Sequence, residues 1–341
     1  MCFRFLFDKT GKKRRIIKNS PHLFNLKKII MNREKANYIE QLQRAVSIYG
    51  SKICFGLDFV PALLAKKYAT EGIGGFLLQL EELFAYMKEQ KVYPGMFKPN
   101  YGFYTVHDRP LQLDFRGSIT LAKIILLIKR EFPDMPITFD GKMADIKKSS
   151  ANYAKGVFEG WDADAMTVHP YMGSDSIIPF AEYCDFQVEK AEGRGAYILD
   201  LTSNPGADDF EMKKMASGKT LYMEVAQWIF DNAGRYPGLG AVVGAPDLNG
   251  LRDIASFYAK NPDVGIPILI PGVSGLTSKA GGQGGRADQV MSVLNYVGYD
   301  TRIARINVSS GLTQPWGAEP VPDDWKKIIV DNLSQYNKQA E

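Results

Sequence analysis

The chain has 341 residues, of which 45% are hydrophobic and 23% are charged. This length and composition suit one large domain or two modest ones, and no apolar run is long enough for a membrane-spanning helix. The three cysteines, Cys2, Cys54 and Cys184, are odd in number and far apart. They argue against a disulfide framework or a thiolate zinc site and suit a reducing compartment such as the cytoplasm.

The charge is unevenly distributed along the chain. The first 30 residues hold nine Lys or Arg and one Asp, whereas residues 31–341 hold 33 basic and 37 acidic residues. The mildly acidic body makes a nucleic-acid-binding surface unexpected. We predict that residues 1–30 form a flexible basic extension and that residues 31–341 form the folded domain. The extension lacks the apolar centre of a secretory signal.

From residue 50 onward, short apolar runs alternate with amphipathic segments. The runs are rich in Ile, Val, Leu and Phe, a composition that is typical of parallel strands buried on both faces. Strands are predicted at 53–59, 94–99, 135–142, 163–170, 195–203, 239–246, 265–273 and 302–310.

The segments between the predicted strands carry apolar residues at spacings of three and four, which predicts helices. They include residues 74–90, 118–132, 220–236, 247–260 and 323–338. Eight strands separated by helices are typical of a single-domain (β/α)₈ TIM barrel, an α/β fold. An open, doubly wound sheet is the alternative, but the turn "FGLDFVP" after the first strand lacks the Gly-rich pattern of a dinucleotide site.

Charged residues follow the apolar part of the stretch "ITFDGKMADIKKSS" (137–150). Asp140 and Lys142 are two apart on the third strand and therefore share a face, and Asp145 comes just beyond. Lys98 ends the second strand. Because the carboxyl ends of barrel strands meet at one mouth, these four charges are expected to converge there, each keeping its neighbour ionised. A purely structural ion-pair network is the alternative for this spacing taken alone.

Several segments of the chain resemble one enzyme family. "FDGKMADIKKS" resembles the Asp-x-Lys-x-x-Asp-Ile signature of the orotidine 5′-monophosphate decarboxylases. The segments "FGLD", "FKPN", "TVHPYMG", "LTSNPGA" and "PGVSG…GGQGG" resemble further motifs of that family, in the same order. The resemblance extends over roughly residues 50–312.

The resemblance implies decarboxylation of the nucleotide orotidylate to uridylate, without metal or cofactor. Lys142 would protonate the reacting carbon within a network with Lys98, Asp140 and Asp145. In this family the last Asp comes from the partner subunit, so a homodimer with shared active sites is expected. Substrate contacts are expected from Asp58, Asn100, Ile146, Ser149, Ser203, Pro271 and Gln283.

Two other functions remain open. Related barrel lyases that act on a sugar phosphate share the Asp-x-Lys-x-x-Asp pattern but use a divalent metal. A non-catalytic nucleotide-binding barrel is the second alternative. Lys98 and the segment "TSNPGA" favour the decarboxylase.

The chain departs from the family after the eighth strand. Members usually have a Gly-Arg or Ser-Arg pair there, followed by a hydrophobic residue, and this Arg grips the 5′-phosphate. Here the segment reads "RINVSSGLTQPW" and has no Arg at that point. We predict that Arg286 replaces it, because Arg286 begins an apparent helix (286–297) whose N-terminal end favours anions.

The same prediction gives supporting roles to backbone amides of the two loops. Those expected to assist are the amides of Gly284, Gly285 and Ser310. Lys279, in the long loop after the seventh strand, is a competing cation for the phosphate.

Overall fold

The structure is a computed structural model that describes residues 36–185, 193–273, 285–317 and 319–341. The basic extension over residues 1–30 lies outside the described residues, so its predicted flexibility stays a prediction.

Eight parallel strands form one sheet in the order β2-β1-β8-β7-β6-β5-β4-β3. Backbone pairing of Phe97 with Ile137 and of Asn100 with Asp140 joins β2 to β3 and closes the barrel. The eight predicted strands and the TIM barrel are thus confirmed, and the open sheet is excluded. The strands are β1 (Ile53–Gly56), β2 (Met96–Lys98), β3 (Thr138–Met143), β4 (Ala165–Val168), β5 (Gly195–Leu201), β6 (Leu239–Val243), β7 (Ile268–Ile270) and β8 (Ala304–Val308).

Helices alternate with the strands and surround the barrel. The longer ones are α1 (Tyr38–Tyr49), α2 (Ile73–Gln90), α3 (Arg116–Glu131), α4 (Lys147–Lys155), α5 (Ser174–Ala181), α6 (Leu221–Ala233), α7 (Leu248–Tyr258), α8 (Ala287–Tyr296) and α9 (Trp325–Gln339). Single helical turns lie at Gly102–Thr105, Ala207–Phe210 and Ser310–Thr313. Among the described helices, none combines the length and apolar composition needed to cross a bilayer.

Helix α1 closes the N-terminal end of the barrel. Asn37 caps it, accepting a hydrogen bond from the Glu40 amide at 2.9 Å. The Tyr38 hydroxyl meets that of Tyr197, on β5, at 3.2 Å, and the fully buried Arg305 donates to the Leu42 carbonyl at 2.7 Å. With this end closed, the carboxyl ends of the strands are the open end, where barrel enzymes carry their sites.

Candidate active site

Strand β3 is irregular where its charged residues begin. Its pairing with β4 shifts register between Phe139 and Met143, and Lys142 has a φ of 47°, in the left-handed region. Such a conformation costs a non-glycine residue on the order of 1–3 kcal/mol and persists only where neighbours hold it. The strand therefore does not continue its regular pleat, and the Lys142 backbone is held by a hydrogen bond to Thr167 of the neighbouring strand β4.

Three of the four predicted charges meet at the mouth. The Asp140 carboxylate accepts from Lys98 Nζ through Oδ2 and from Lys142 Nζ through Oδ1, both at 2.6 Å. The side chains of Lys98 and Asp140 are 6% and 5% exposed, whereas that of Lys142 is 49% exposed. The array thus consists of a buried ion pair, formed by Lys98 and Asp140, and one half-exposed cation, Lys142, at the mouth.

The array keeps its buried members charged. Burial alone would raise the pKa of Asp140, but Lys98 and Lys142 outweigh it and hold this pKa well below its ordinary value. Burial alone would lower the pKa of Lys98, but Asp140 and Asp58 outweigh it and raise this pKa above its ordinary value. Opposite charges in contact account for both directions.

Asp58 follows β1 and acts on the same array. Its charge supports that of Lys98, and its Oδ1 is buried with no hydrogen-bond partner among the described residues. A buried carboxylate oxygen without a donor is costly. Asp58 Oδ1 can therefore accept a hydrogen bond from a ligand hydroxyl.

Asp145 does not join the array of its own chain. Its Oδ1 accepts from the Ile146 amide at 2.6 Å, and its backbone bonds to the Ser150 hydroxyl. Within the described part of the chain, its carboxylate has no ion pair. The next side chain, Ile146, is 59% exposed, so this segment faces outward, immediately before α4.

Two other predicted contacts, Asn100 and Ser149, lie in the segments that follow β2 and β3. Asn100 pairs with Asp140 through the backbone, and its Oδ1 accepts from the Gly102 amide at 3.2 Å. The Ser149 amide donates to the Ile146 carbonyl in the first turn of α4. Asn100 therefore lies at the mouth beside Asp140, and Ser149 lies with Ile146 at the start of α4.

Ser203 lies across the barrel from these residues, in the loop after β5. A Cβ on Gly272 would lie 2.8 Å from Ser203 Cβ, and one on Gly244 would lie 2.8 Å from Ser203 Cα. The carbonyl of Pro271 accepts from the Ala245 amide at 2.8 Å. The structure thus brings the predicted contacts Ser203 and Pro271 together at the ends of β5, β6 and β7.

Comparisons with known proteins identify the family of the chain. The model of the orotidine 5′-phosphate decarboxylase / HUMPS family matches residues 51–295. The chain belongs to this family. Orotidine 5′-phosphate decarboxylase of Bordetella pertussis is 31% identical over 252 residues, which are 73% of this chain and 80% of the relative.

Two solved structures share the fold. Leishmania donovani UMP synthase matches with a TM-score of 0.64 and 25% identity, over 89% of this chain and 56% of that chain, so this chain spans little more than half of it. A Toxoplasma gondii protein described as an orotidine-monophosphate decarboxylase matches with a TM-score of 0.68 and 22% identity, over 89% and 96% of the two chains.

The departure from the family after β8 has a structural counterpart. Gly311 follows Ser310 in the segment where the resemblance led us to expect an Arg. A Cβ here would lie 2.6 Å from Tyr336 Oη and 3.0 Å from Val308 Cγ1. Tyr336, on α9, therefore occupies the space through which a side chain at position 311 would leave the backbone.

The predicted substitute, Arg286, lies immediately before α8, at its N-cap position, with 56% of its side chain exposed. Its guanidinium bonds both oxygens of Asp288, at 2.9 and 2.8 Å. The Gly285 amide, which was predicted to assist with the phosphate, donates to the Gly272 carbonyl at 2.9 Å. Gln283, Gly284 and Lys279 lie outside the described residues.

Sequence inspection missed two residues that organise the mouth. Thr167, on β4, bonds both Asp140 and the Lys142 amide. Glu211 accepts from the Thr202 amide and hydroxyl at 2.6 and 2.8 Å, which holds the loop that carries Ser203. The segment "TVHPYMG", which includes Thr167, was noted only as a family motif, and no local pattern in it indicated the contacts of Thr167.

Proposed function

We propose that this protein converts orotidine 5′-monophosphate to uridine 5′-monophosphate, without a metal or cofactor, as a step of pyrimidine synthesis in the cytoplasm. The observation that carries the proposal is the Lys98–Asp140–Lys142 array at the carboxyl ends of β2 and β3. It presents preformed charge where a reaction that generates charge needs it.

The reaction breaks the bond between pyrimidine C6 and its carboxylate. Carbon dioxide leaves, and the electron pair stays on C6 as a carbanion that no attached carbonyl can absorb directly. A cation beside C6 stabilises this charge. Lys142 supplies it, then gives a proton to C6 and regains one from water. Its half-exposed side chain supports this role, since its ammonium contacts the array and also reaches the mouth.

Asp140 has two roles in this proposal. Its oxygens hold the ammonium groups of Lys98 and Lys142 at 2.6 Å, which sets their positions before substrate arrives. It also lies beside the substrate carboxylate, and the repulsion between the two is relieved as carbon dioxide leaves. The pKa of Asp140 is lowered by the two lysines, so this carboxylate stays ionised, as both roles require.

The remaining assignments concern the nucleotide. Asp58 Oδ1 takes a ribose hydroxyl, supported by its buried and unpartnered state. Ser203 contacts the pyrimidine, and Arg286 grips the phosphate. The other proposed contacts are Asn100, Ile146, Ser149, Pro271 and Gln283.

We also propose a homodimer in which Asp145 completes the site of the partner subunit. Asp145 has no ion pair among the described residues, and the segments that follow β3 and β4, including α4, expose apolar side chains. These are Ile146, Tyr153, Tyr171 and Met172. Neighbouring exposed apolar residues are typical of a surface that another protein covers. A second copy of the chain fits, because its own Asp145 would then lie beside this mouth.

The metal-dependent sugar-phosphate lyases are the principal alternative. Such an enzyme needs carboxylate oxygens free to bind a divalent cation. Here Asp140 Oδ2 bonds Lys98, and Oδ1 bonds both Lys142 and Thr167. Both oxygens are therefore already occupied by donors, which favours the metal-free reaction.

One experiment tests the proposal directly. Purified protein is dialysed against a chelator and then mixed with orotidylate, and the loss of substrate absorbance is followed with the chelator present. Sustained conversion to uridylate is expected. Activity that disappears with the chelator and returns with Mg²⁺ would favour the metal-dependent alternative. Tight uridylate binding without turnover would indicate a non-catalytic barrel.

A further inference from the structure

The Thr167 hydroxyl lies between Asp140 and Lys142, the two residues of β3 that belong to the charge array. It is buried, and it reaches across from β4. The Lys142 amide donates to Thr167 Oγ1 at 3.0 Å, and Thr167 Oγ1 donates to Asp140 Oδ1 at 2.8 Å. One side chain thus touches both the backbone of Lys142 and the carboxylate of Asp140.

The direction of these hydrogen bonds is determined by the groups involved. A backbone amide only donates, and an ionised carboxylate only accepts. The single hydroxyl proton of Thr167 must therefore point at Asp140, and its lone pair at Lys142. A side chain without a hydroxyl would lose both bonds together.

The contact lies where β3 leaves its regular conformation. The register of β3 on β4 shifts between Phe139 and Met143, and Lys142 takes its left-handed φ within this shift. The Lys142 amide is thus bonded to a side chain of β4 instead of a backbone carbonyl. A strained conformation persists only where the surroundings hold it. The hydrogen bond to Thr167 is what holds the Lys142 amide within the described residues.

We propose that Thr167 is a positioning residue, which holds Lys142 in its left-handed conformation and so directs its ammonium toward the reacting carbon. Its second bond orients the Asp140 carboxylate between the two lysines. This inference rests on the proposed decarboxylation. It adds a residue that contacts neither substrate nor product and acts through Lys142 and Asp140.

The test compares three variants. Thr167→Val keeps the branched shape without the hydroxyl, and Thr167→Ser keeps the hydroxyl without the methyl group. Thr138→Val is the matched control, because Thr138 is equally buried, lies on β3 and bonds Met96 Sδ at 3.2 Å, outside the charge array. For each variant, kcat and KM for orotidylate, uridylate affinity and thermal unfolding are measured.

If Thr167 acts by positioning Lys142, loss of its hydroxyl should lower kcat and leave the binding of substrate and product nearly unchanged. Thr167→Val is expected to lower kcat about 10- to 100-fold, the range for a hydrogen bond to a charged group. KM and uridylate affinity should change by less than about threefold, because phosphate, ribose and base keep their contacts. Thr167→Ser should retain most of the wild-type kcat, and Thr138→Val should match the wild type.

Two results would overturn the inference: an unchanged kcat in Thr167→Val, or a loss in Thr167→Ser as large as that in Thr167→Val. Should Thr167→Val fail to fold, Thr167→Ala replaces it with the same expectation. If the wild type itself does not decarboxylate orotidylate, the proposed function fails, and a crystal structure of Thr167→Val then tests the positioning. Lys142 leaving the left-handed region would support it, and an unchanged Lys142 would overturn it.

Discussion

At the scale of single residues, the buried charges and the exposed charge of the array have different tasks. Lys98 and Asp140 are almost fully buried and neutralise each other, so they form a fixed ion pair within the site. Lys142 is half exposed and contacts the same carboxylate. Removing Lys142 therefore leaves Asp140 with a cation and a hydroxyl, so the fold is expected to survive the change.

The first prediction follows from this division. Lys142→Ala should lower kcat by at least about 10³-fold, because both the cation beside C6 and the proton donor are lost. Uridylate binding, measured by calorimetry, should remain within about tenfold, since phosphate and ribose contacts are retained.

The exposed Lys123, on the outer helix α3, supplies the control. Lys123→Ala makes the same chemical change far from the mouth and should leave kcat unaltered. Near-normal turnover in Lys142→Ala would refute the assignment of Lys142 as proton donor.

At the scale of elements, the strands could be predicted and their ends could not. Apolar runs identified the eight strands because both faces of a parallel strand are buried. The run 265–273, however, contains only three strand residues, Ile268–Ile270. Its flanks are apolar because they pack in loops, and composition does not separate loop packing from strand pairing. Helix α7 lies within the predicted segment 247–260, and Asp247 is its N-cap, accepting from the amides of Asn249 and Gly250.

The site shows the same limit. A spacing of two predicted that Asp140 and Lys142 meet, and they do, but through a left-handed residue at a register shift. The role of Thr167 depends on which β4 residue lies opposite that shift, which no local pattern encodes. Glu211 holds the Thr202 loop from nine residues away, a contact that depends on how the intervening helical turn folds back.

The second prediction concerns Arg286, at the N-terminal end of α8. If Arg286 grips the phosphate, Arg286→Ala should lose about 2–4 kcal/mol of transition-state stabilisation toward orotidylate, measured as kcat/KM. Activity toward the unphosphorylated nucleoside orotidine should barely change. The guanidinium must leave Asp288 to do this, so Asp288→Asn should not impair orotidylate turnover.

Arg302 provides a matched control for Arg286. It also bonds both oxygens of an aspartate two residues away, Asp300, at 2.8 Å each, and it is similarly exposed. It lies before β8, at the opposite end of that strand from the mouth. Arg302→Ala should leave both substrates unaffected. Equal losses on orotidylate and orotidine in Arg286→Ala, or no loss on either, would exclude Arg286 as the phosphate ligand.

At the scale of the whole molecule, one chain does not assemble the four predicted charges. Lys98, Asp140 and Lys142 meet within the chain, while Asp145 lies outside their contacts, beside exposed apolar side chains. A two-fold dimer resolves this, because a symmetric interface repeats each contact and would bring each Asp145 to the other mouth. The proposed active unit is therefore larger than the folding unit.

The last prediction tests this sharing by mixing inactive subunits. Lys142→Ala and Asp145→Ala subunits are unfolded together, refolded and assayed for decarboxylation, with heterodimers quantified by two different affinity tags. Each heterodimer has one site that combines an intact Lys142 with an intact Asp145, so random pairing should restore roughly a quarter of wild-type activity. Mixing Lys142→Ala with Lys98→Ala is the control. Both lysines bond the same Asp140 within one chain, so every site of that heterodimer lacks one of them and no activity should return. Heterodimers of the first pair that form in quantity yet remain inactive would show that Asp145 does not act in the partner's site.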